Sequence, residues 1–70
     1  MLTNLKLLRM SKQISQGEAA KEVGVSQGWY SLIESGRLQP TESVGKRLSG
    51  VFMHPVDELL RAVNVESLVS

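Results

Sequence analysis

Seventy residues accommodate one small domain, close to the size below which an apolar core alone rarely sustains a fold. The absence of cysteine excludes disulfides, thiolate metal sites and cysteine nucleophiles, and a lone histidine (His54) makes no ligand set, so neither metal nor cofactor is expected. Eight Lys+Arg against seven Asp+Glu leave a net charge of only +1, which excludes bulk charge as the guide to a partner. Charge is nonetheless uneven, with Lys6, Arg9 and Lys12 early in the chain and Asp57, Glu58 and Glu66 late. No apolar run is long enough to cross a bilayer and no signal-peptide core opens the chain, so a reducing cytoplasm is the expected location.

Five short helices are expected, and no convincing strand. The first spans about residues 3–12, with Leu5 and Leu8 on its apolar side and Lys6, Arg9 and Lys12 on its polar side. Ser15-Gln16-Gly17-Glu18 then spells a capping box, in which the serine hydroxyl and the glutamate carboxylate satisfy backbone donors reciprocally. Ile14 and Ala19 are placed as a hydrophobic staple around it. This second helix hides Ala19, Ala20 and Val23 and ends at Gly24, which suits a left-handed position. Ser26 caps a third helix that runs to about Ser35 and stops at Gly36, with Val25 stapled onto Tyr30. Thr41, just past Pro40, caps a fourth helix carrying Val44, Leu48, Val51 and Phe52. Pro55 opens a fifth, with Asp57 and Glu58 at its positive end and Leu59, Leu60 and Val63 as its apolar stripe. The fold class is all-α.

The most informative stretch is Gln16 to Gly36. Two capped helices joined only by Gly24-Val25-Ser26 cross steeply, as in a helix-turn-helix at about residues 16–35, and Ala19 and Ala20 are small enough to permit the contact. On a helical wheel Trp29, Tyr30 and Ile33 fall on the core side of the third helix. Gln27, Gly28, Ser31, Leu32 and Ser35 fall outside. That outward face bears no charge and is mostly small or amide-bearing, which suits the floor of a DNA groove. A glutamine amide can pair bidentately with adenine, a serine hydroxyl can reach a base edge, and a leucine can lie against a thymine methyl. Gly28 permits close backbone approach.

From Leu5 to Leu60 the chain resembles the Cro/lambda-repressor (Xre-type) helix-turn-helix family. The resemblance is carried by LKLLRMSKQISQGEAAKEVGVSQGWYSLIESGRLQP and the later VDELL, with Ile14-Ser15-Gln16, Ala20, Gly24-Val25-Ser26, Ile33-Glu34-Ser35-Gly36 and Pro40 in order and at the family's spacing. It implies a five-helix DNA-binding domain with Gln16 touching a phosphate and bracing Gln27, and with Gln27, Gly28, Ser31 and Leu32 on the reading face. It further implies backbone contacts from Ser35, Gly36 and Arg37, with Ser26 at the helix start completing the candidate DNA-binding set. Arg9 is implied as the structural ion-pair partner of Glu34, tying the first helix to the third. The chain departs from the family at Gly28, Trp29 and Leu32, and at Met53, which stands where a glycine usually ends the fourth helix.

Residues 1–63 are read as the DNA-binding domain and 64–70 as a tail, with Val63, Val65, Leu68 and Val69 a candidate dimer interface. The implied activity is that of a sequence-specific regulator, of repressor type, acting as a homodimer on a near-palindromic site in double-stranded DNA. The DNA-binding antitoxin of a toxin pair or a restriction–modification controller is the alternative, and a protein-binding adaptor on the same fold is a further one. No nucleophile–base pair, phosphate-cradling loop or carboxylate dyad points to an enzyme.

Overall fold

The computed structural model describes residues 2–63. Five helices follow one another: α1 (Asn4–Ser11), α2 (Gln16–Val23), α3 (Gln27–Glu34), α4 (Glu42–Phe52) and α5 (Val56–Leu59). Among the described residues there is no strand, only an isolated antiparallel bridge between Thr3 and Ala62. The all-α expectation stands.

Capping chemistry explains where the helices begin. The hydroxyls of Thr3, Ser15, Ser26 and Thr41 each accept from the backbone N–H three residues on, so every helix of eight residues or more has a side-chain cap. At Ser15 the box is complete: Glu18 N–H donates to Ser15 Oγ at 3.0 Å, and Ser15 N–H donates to Glu18 Oε1 at 3.2 Å. α2 stops because Gly24 takes the left-handed conformation, φ 84°, and turns its N–H back to Ala20 O. Met53 ends α4 in the same left-handed conformation at φ 57°, which an L side chain adopts only under strain.

The apolar stripes meet in one core of Leu5, Ala19, Ala20, Val23, Tyr30, Ile33, Val44, Leu48, Phe52 and Leu59. Leu8, Ile14, Val25, Leu38, Val51 and Leu60 pack half-buried around it. Arg47 of α4 points its guanidinium at the end of α2, donating to Val23 O at 3.4 Å, where the helix dipole favours a cation.

The fifth helix is shorter than its apolar stripe implied. It comprises four residues, and Val63 lies beyond it. The cause is tertiary: the start of α1 takes up the groups that a longer helix would use. Asn4 N–H donates to Arg61 O at 3.1 Å, Asn4 Nδ2 to Glu58 O at 2.9 Å, and Val63 N–H to Leu2 O at 2.8 Å. Residues 58–63 therefore close on residues 2–4. Val63 is half-buried in that clasp, whereas Val65, Leu68 and Val69 lie outside the described residues.

Candidate nucleic-acid interface

α2 and α3 form the compact pair on which any groove contact depends. Ala19 and Ala20 are buried at their junction, and the Gly24-Val25-Ser26 turn sets the crossing. α3 turns Tyr30, Ile33 and Glu34 inward. Glu34 is the helix's only charged residue, and just 1 % of it is exposed.

Such a burial requires neutralisation, and α1 supplies it. Arg9 grips the carboxylate in two places, Nε to Oε2 at 2.8 Å and Nη2 to Oε1 at 3.0 Å, while its Nη1 donates to Ile14 O at 2.8 Å. Gln16 of α2 adds Nε2 to Oε1 at 3.2 Å. The Thr3 hydroxyl, fully buried, caps α1 and also donates to the Glu34 carbonyl at 2.6 Å. One residue thus gathers bonds from α1, from its cap and from α2. Burial works to raise the Glu34 pKa, but the donors Arg9 and Gln16 with the neighbouring Tyr30 hydroxyl outweigh it, and the carboxyl titrates below its ordinary value. The hydrogen bonds that Arg9 donates to Glu34 in turn raise the Arg9 pKa against its own partial desolvation. Tyr30 keeps its proton far above the usual phenol range, first because it is buried and then because its hydroxyl, with no hydrogen-bond partner among the described residues, faces the same carboxylate.

The outward side of α3 is the opposite in character. Gln27, Gly28, Trp29 and Leu32 are exposed and Ser31 is half-buried. Ser26 at the cap and Arg37 beyond the helix are exposed, and Ser35 is half-buried. Gly36 reverses the chain at φ 78°. The Arg37 N–H closes on Leu32 O at 2.9 Å, so its side chain leaves from a fixed point next to the helix end.

Two placements differ from the sequence-based expectations. Trp29 sits at the edge of the exposed face, 38 % accessible, and outside the core. The inward arc is centred on Tyr30, Ile33 and the neutralised Glu34, which leaves no room on the wheel for Trp29. Gln16 gives one of its two amide N–H groups to Glu34, where the resemblance had implied a brace on Gln27. Gln27 Oε1 lies near Gly17 instead, 3.3 Å from where a Cβ on that glycine would stand. Gly17, Thr3 and Arg47 were not singled out as positioning residues by sequence reasoning. Thr3 carries the ordinary signature of a cap, but the contacts of Gly17 and Arg47 exist only once the helices are packed.

One family profile, described as a helix-turn-helix domain, matches residues 3–63. The chain belongs to this helix-turn-helix family. It falls in the Xre/Cro-like superfamily, with the matched span running from the cap of α1 to the clasp at Val63. Among curated proteins and solved structures, none is significantly similar to the chain. A helix-turn-helix domain is a DNA-binding fold whose second helix enters the major groove while the first crosses the backbone. Here the first and second helices of the motif are α2 and α3.

Proposed function

We propose that this helix-turn-helix protein is a sequence-specific transcriptional regulator that seats α3 in the major groove of double-stranded DNA. The observation that carries the reading is the division of α3: its one charge is locked inward, and its amide, hydroxyl and apolar groups stay open to a duplex. Gln27 and Ser31 read base edges, with Gly28 and Leu32 against the groove floor. Gln16, Ser26, Ser35 and Arg37 hold the phosphate backbone on either side. Two copies joined through Val63, Val65, Leu68 and Val69 would present their reading helices roughly 34 Å apart to a near-palindromic operator. Occupancy of that site represses by excluding polymerase, in the manner of a phage, plasmid or mobile-element repressor.

Selection of bound sequences from random duplex DNA tests this directly. The expected outcome is an enriched near-palindrome whose affinity falls steeply with salt, in proportion to the phosphates contacted. A second reading, that of a protein-binding adaptor, is favoured by the exposed Trp29 and Leu32 on an uncharged face. It predicts no enriched sequence and no salt-sensitive binding to duplex DNA, and that outcome would displace the regulator.

A further inference from the structure

Gln27 opens α3, and its amide is turned with the carbonyl end toward α2. Oε1 lies 3.3 Å and Cδ 3.8 Å from where a Cβ on Gly17 would stand, and Nε2 is farther off than the oxygen. Electrostatics favours that sense of the amide. Gly17 is the second residue of α2, and the capping box satisfies the N–H groups of Ser15 and Glu18 on either side. The N–H groups of Gln16 and Gly17 between them have no partner among the described residues. They point out of the helix end that carries the positive pole of its dipole, which draws a carbonyl oxygen and repels an amide N–H. Glycine is what admits the oxygen. Gly17 is helical and is not left-handed, so its backbone does not require glycine, and alanine would suit the helix better. A Cβ there would press on Oε1 and push it away.

Resting on the DNA-reading proposal above, we infer that Gly17 is a positioning residue for base choice. By admitting the Gln27 oxygen beside the start of α2, it leaves Nε2, a donor only, to face the groove. An amide free to present both ends pairs with adenine, giving an N–H to N7 and taking one from N6. With its oxygen turned away the second of those bonds is lost, and the adenine amino group meets another donor. Guanine instead sets two acceptors, N7 and O6, side by side, and the two Nε2 hydrogens suit both. Cytosine offers a donor, and thymine a single acceptor beside its methyl. The step that Gln27 reads is therefore guanine, in place of the adenine that an unconstrained glutamine would take.

The test uses the full chain and the duplex enriched by selection, with every base pair varied singly. The step at which Gln27→Ala loses discrimination is the one Gln27 reads. There the unaltered protein should prefer guanine to adenine about tenfold, within the range of one well-paired base contact. In a second arm that guanine is replaced by 7-deazaguanine, whose C–H stands where N7 was. Binding should weaken about fivefold, the worth of one hydrogen bond, and Gln27→Ala should not sense the change. Gly17→Ala should melt no lower than the unaltered protein, yet its guanine preference should fall to about twofold or less as the amide regains both ends. A glycine that served only the helix would leave base choice untouched. Adenine at the Gln27 step, 7-deazaguanine bound as tightly as guanine, or a guanine preference that survives in Gly17→Ala overturns the assignment and leaves the DNA-reading proposal standing. So does a Gln27→Ala variant with unaltered preference at every step. The first two arms need only the unaltered protein and Gln27→Ala, so they decide even where Gly17→Ala folds poorly. Failure to enrich any duplex removes both proposals.

Discussion

Helices α1 to α3 are fastened by side chains converging on one buried carboxylate, whereas α4 and α5 are held by apolar contact, a single Arg47 bond and the peripheral clasp around Asn4. In the first unit Arg9, Gln16 and Thr3 converge on Glu34 at distances between 2.6 and 3.2 Å. In the second, Leu48, Phe52 and Leu59 are buried, but α5 is a single turn with no side-chain cap and α4 ends on the left-handed Met53. Apolar contact tolerates small rotations, and a bidentate ion pair does not. The part of the molecule that aims α3 is thus over-determined, and the part behind it has slack. That division fits a fold whose function depends on the angle at which one helix leaves its supports.

The comparison breaks most readily at Arg9. Arg9→Met leaves the Glu34 carboxylate buried without its cation, a loss of about 3–5 kcal/mol, which is a large share of the stability of a domain this small. Denaturant titration should show it nearly unfolded at room temperature. Arg9→Met combined with Glu34→Leu removes both charges and should recover most of that loss, since an apolar pair in place of a buried ion pair is often neutral. A double variant as unstable as the single would mean that the ion pair is not what holds α1 to α3.

The same carboxylate sets an acid limit. Its pKa in the folded chain lies below the ordinary value of 4.5, so its contribution is fully present above about pH 4.5. As pH falls from there, the unfolded chain takes up the proton first, and the contribution is lost progressively down to the folded pKa. Urea midpoints measured from pH 7 to pH 3 should therefore drop below about pH 4.5, and Glu34→Gln should flatten that drop. A wild-type curve with no loss in this window would refute the depressed pKa.

Gln27 tests the outer side of the same helix. Because Gln27 is exposed, Gln27→Ala should leave the melting temperature unchanged. Specific binding should weaken by about 1–3 kcal/mol while non-specific binding barely moves. Equal loss on both kinds of DNA would show that Gln27 does not read sequence.

What could be read from the chain beforehand follows the same division between local and distant causes. The caps at Ser15, Ser26 and Thr41 and the stop at Gly24 were legible, because each is settled within a few residues by backbone groups needing partners. The outward placement of Gln27, Gly28 and Leu32 was legible from periodicity alone. The Arg9–Glu34 contact was implied by resemblance; spacing offers no hint that residues 25 apart meet. Trp29 was misplaced because a hydrophobicity wheel cannot foresee that a charged residue, once neutralised, takes the inward arc. The length of α5 was misread for a similar reason, since Asn4 and Leu2 claim its carbonyls and the N–H beyond it from the far end of the chain. Gly17 under Gln27 and Arg47 at the end of α2 became visible only with the packing.

Slack in α4 and α5 can be tightened, and the gains should be small and local. Met53 is 84 % exposed, so Met53→Gly loses little packing. It relieves about 1–2 kcal/mol of left-handed strain against about 0.4–1 kcal/mol of added unfolded-state freedom, for a net gain of about 1.5 kcal/mol at most. Gly50→Ala should give somewhat less, about 0.5 kcal/mol. The residue is helical and exposed, and a Cβ there meets nothing within 4 Å, so the gain comes only from restricting the unfolded chain, in a last turn that frays. Thermal melts should rise by a few degrees for each variant, with operator affinity unchanged because neither residue lies on α2 or α3. A change in affinity without a change in stability would show instead that α4 helps to aim the reading helix, and that its slack is used.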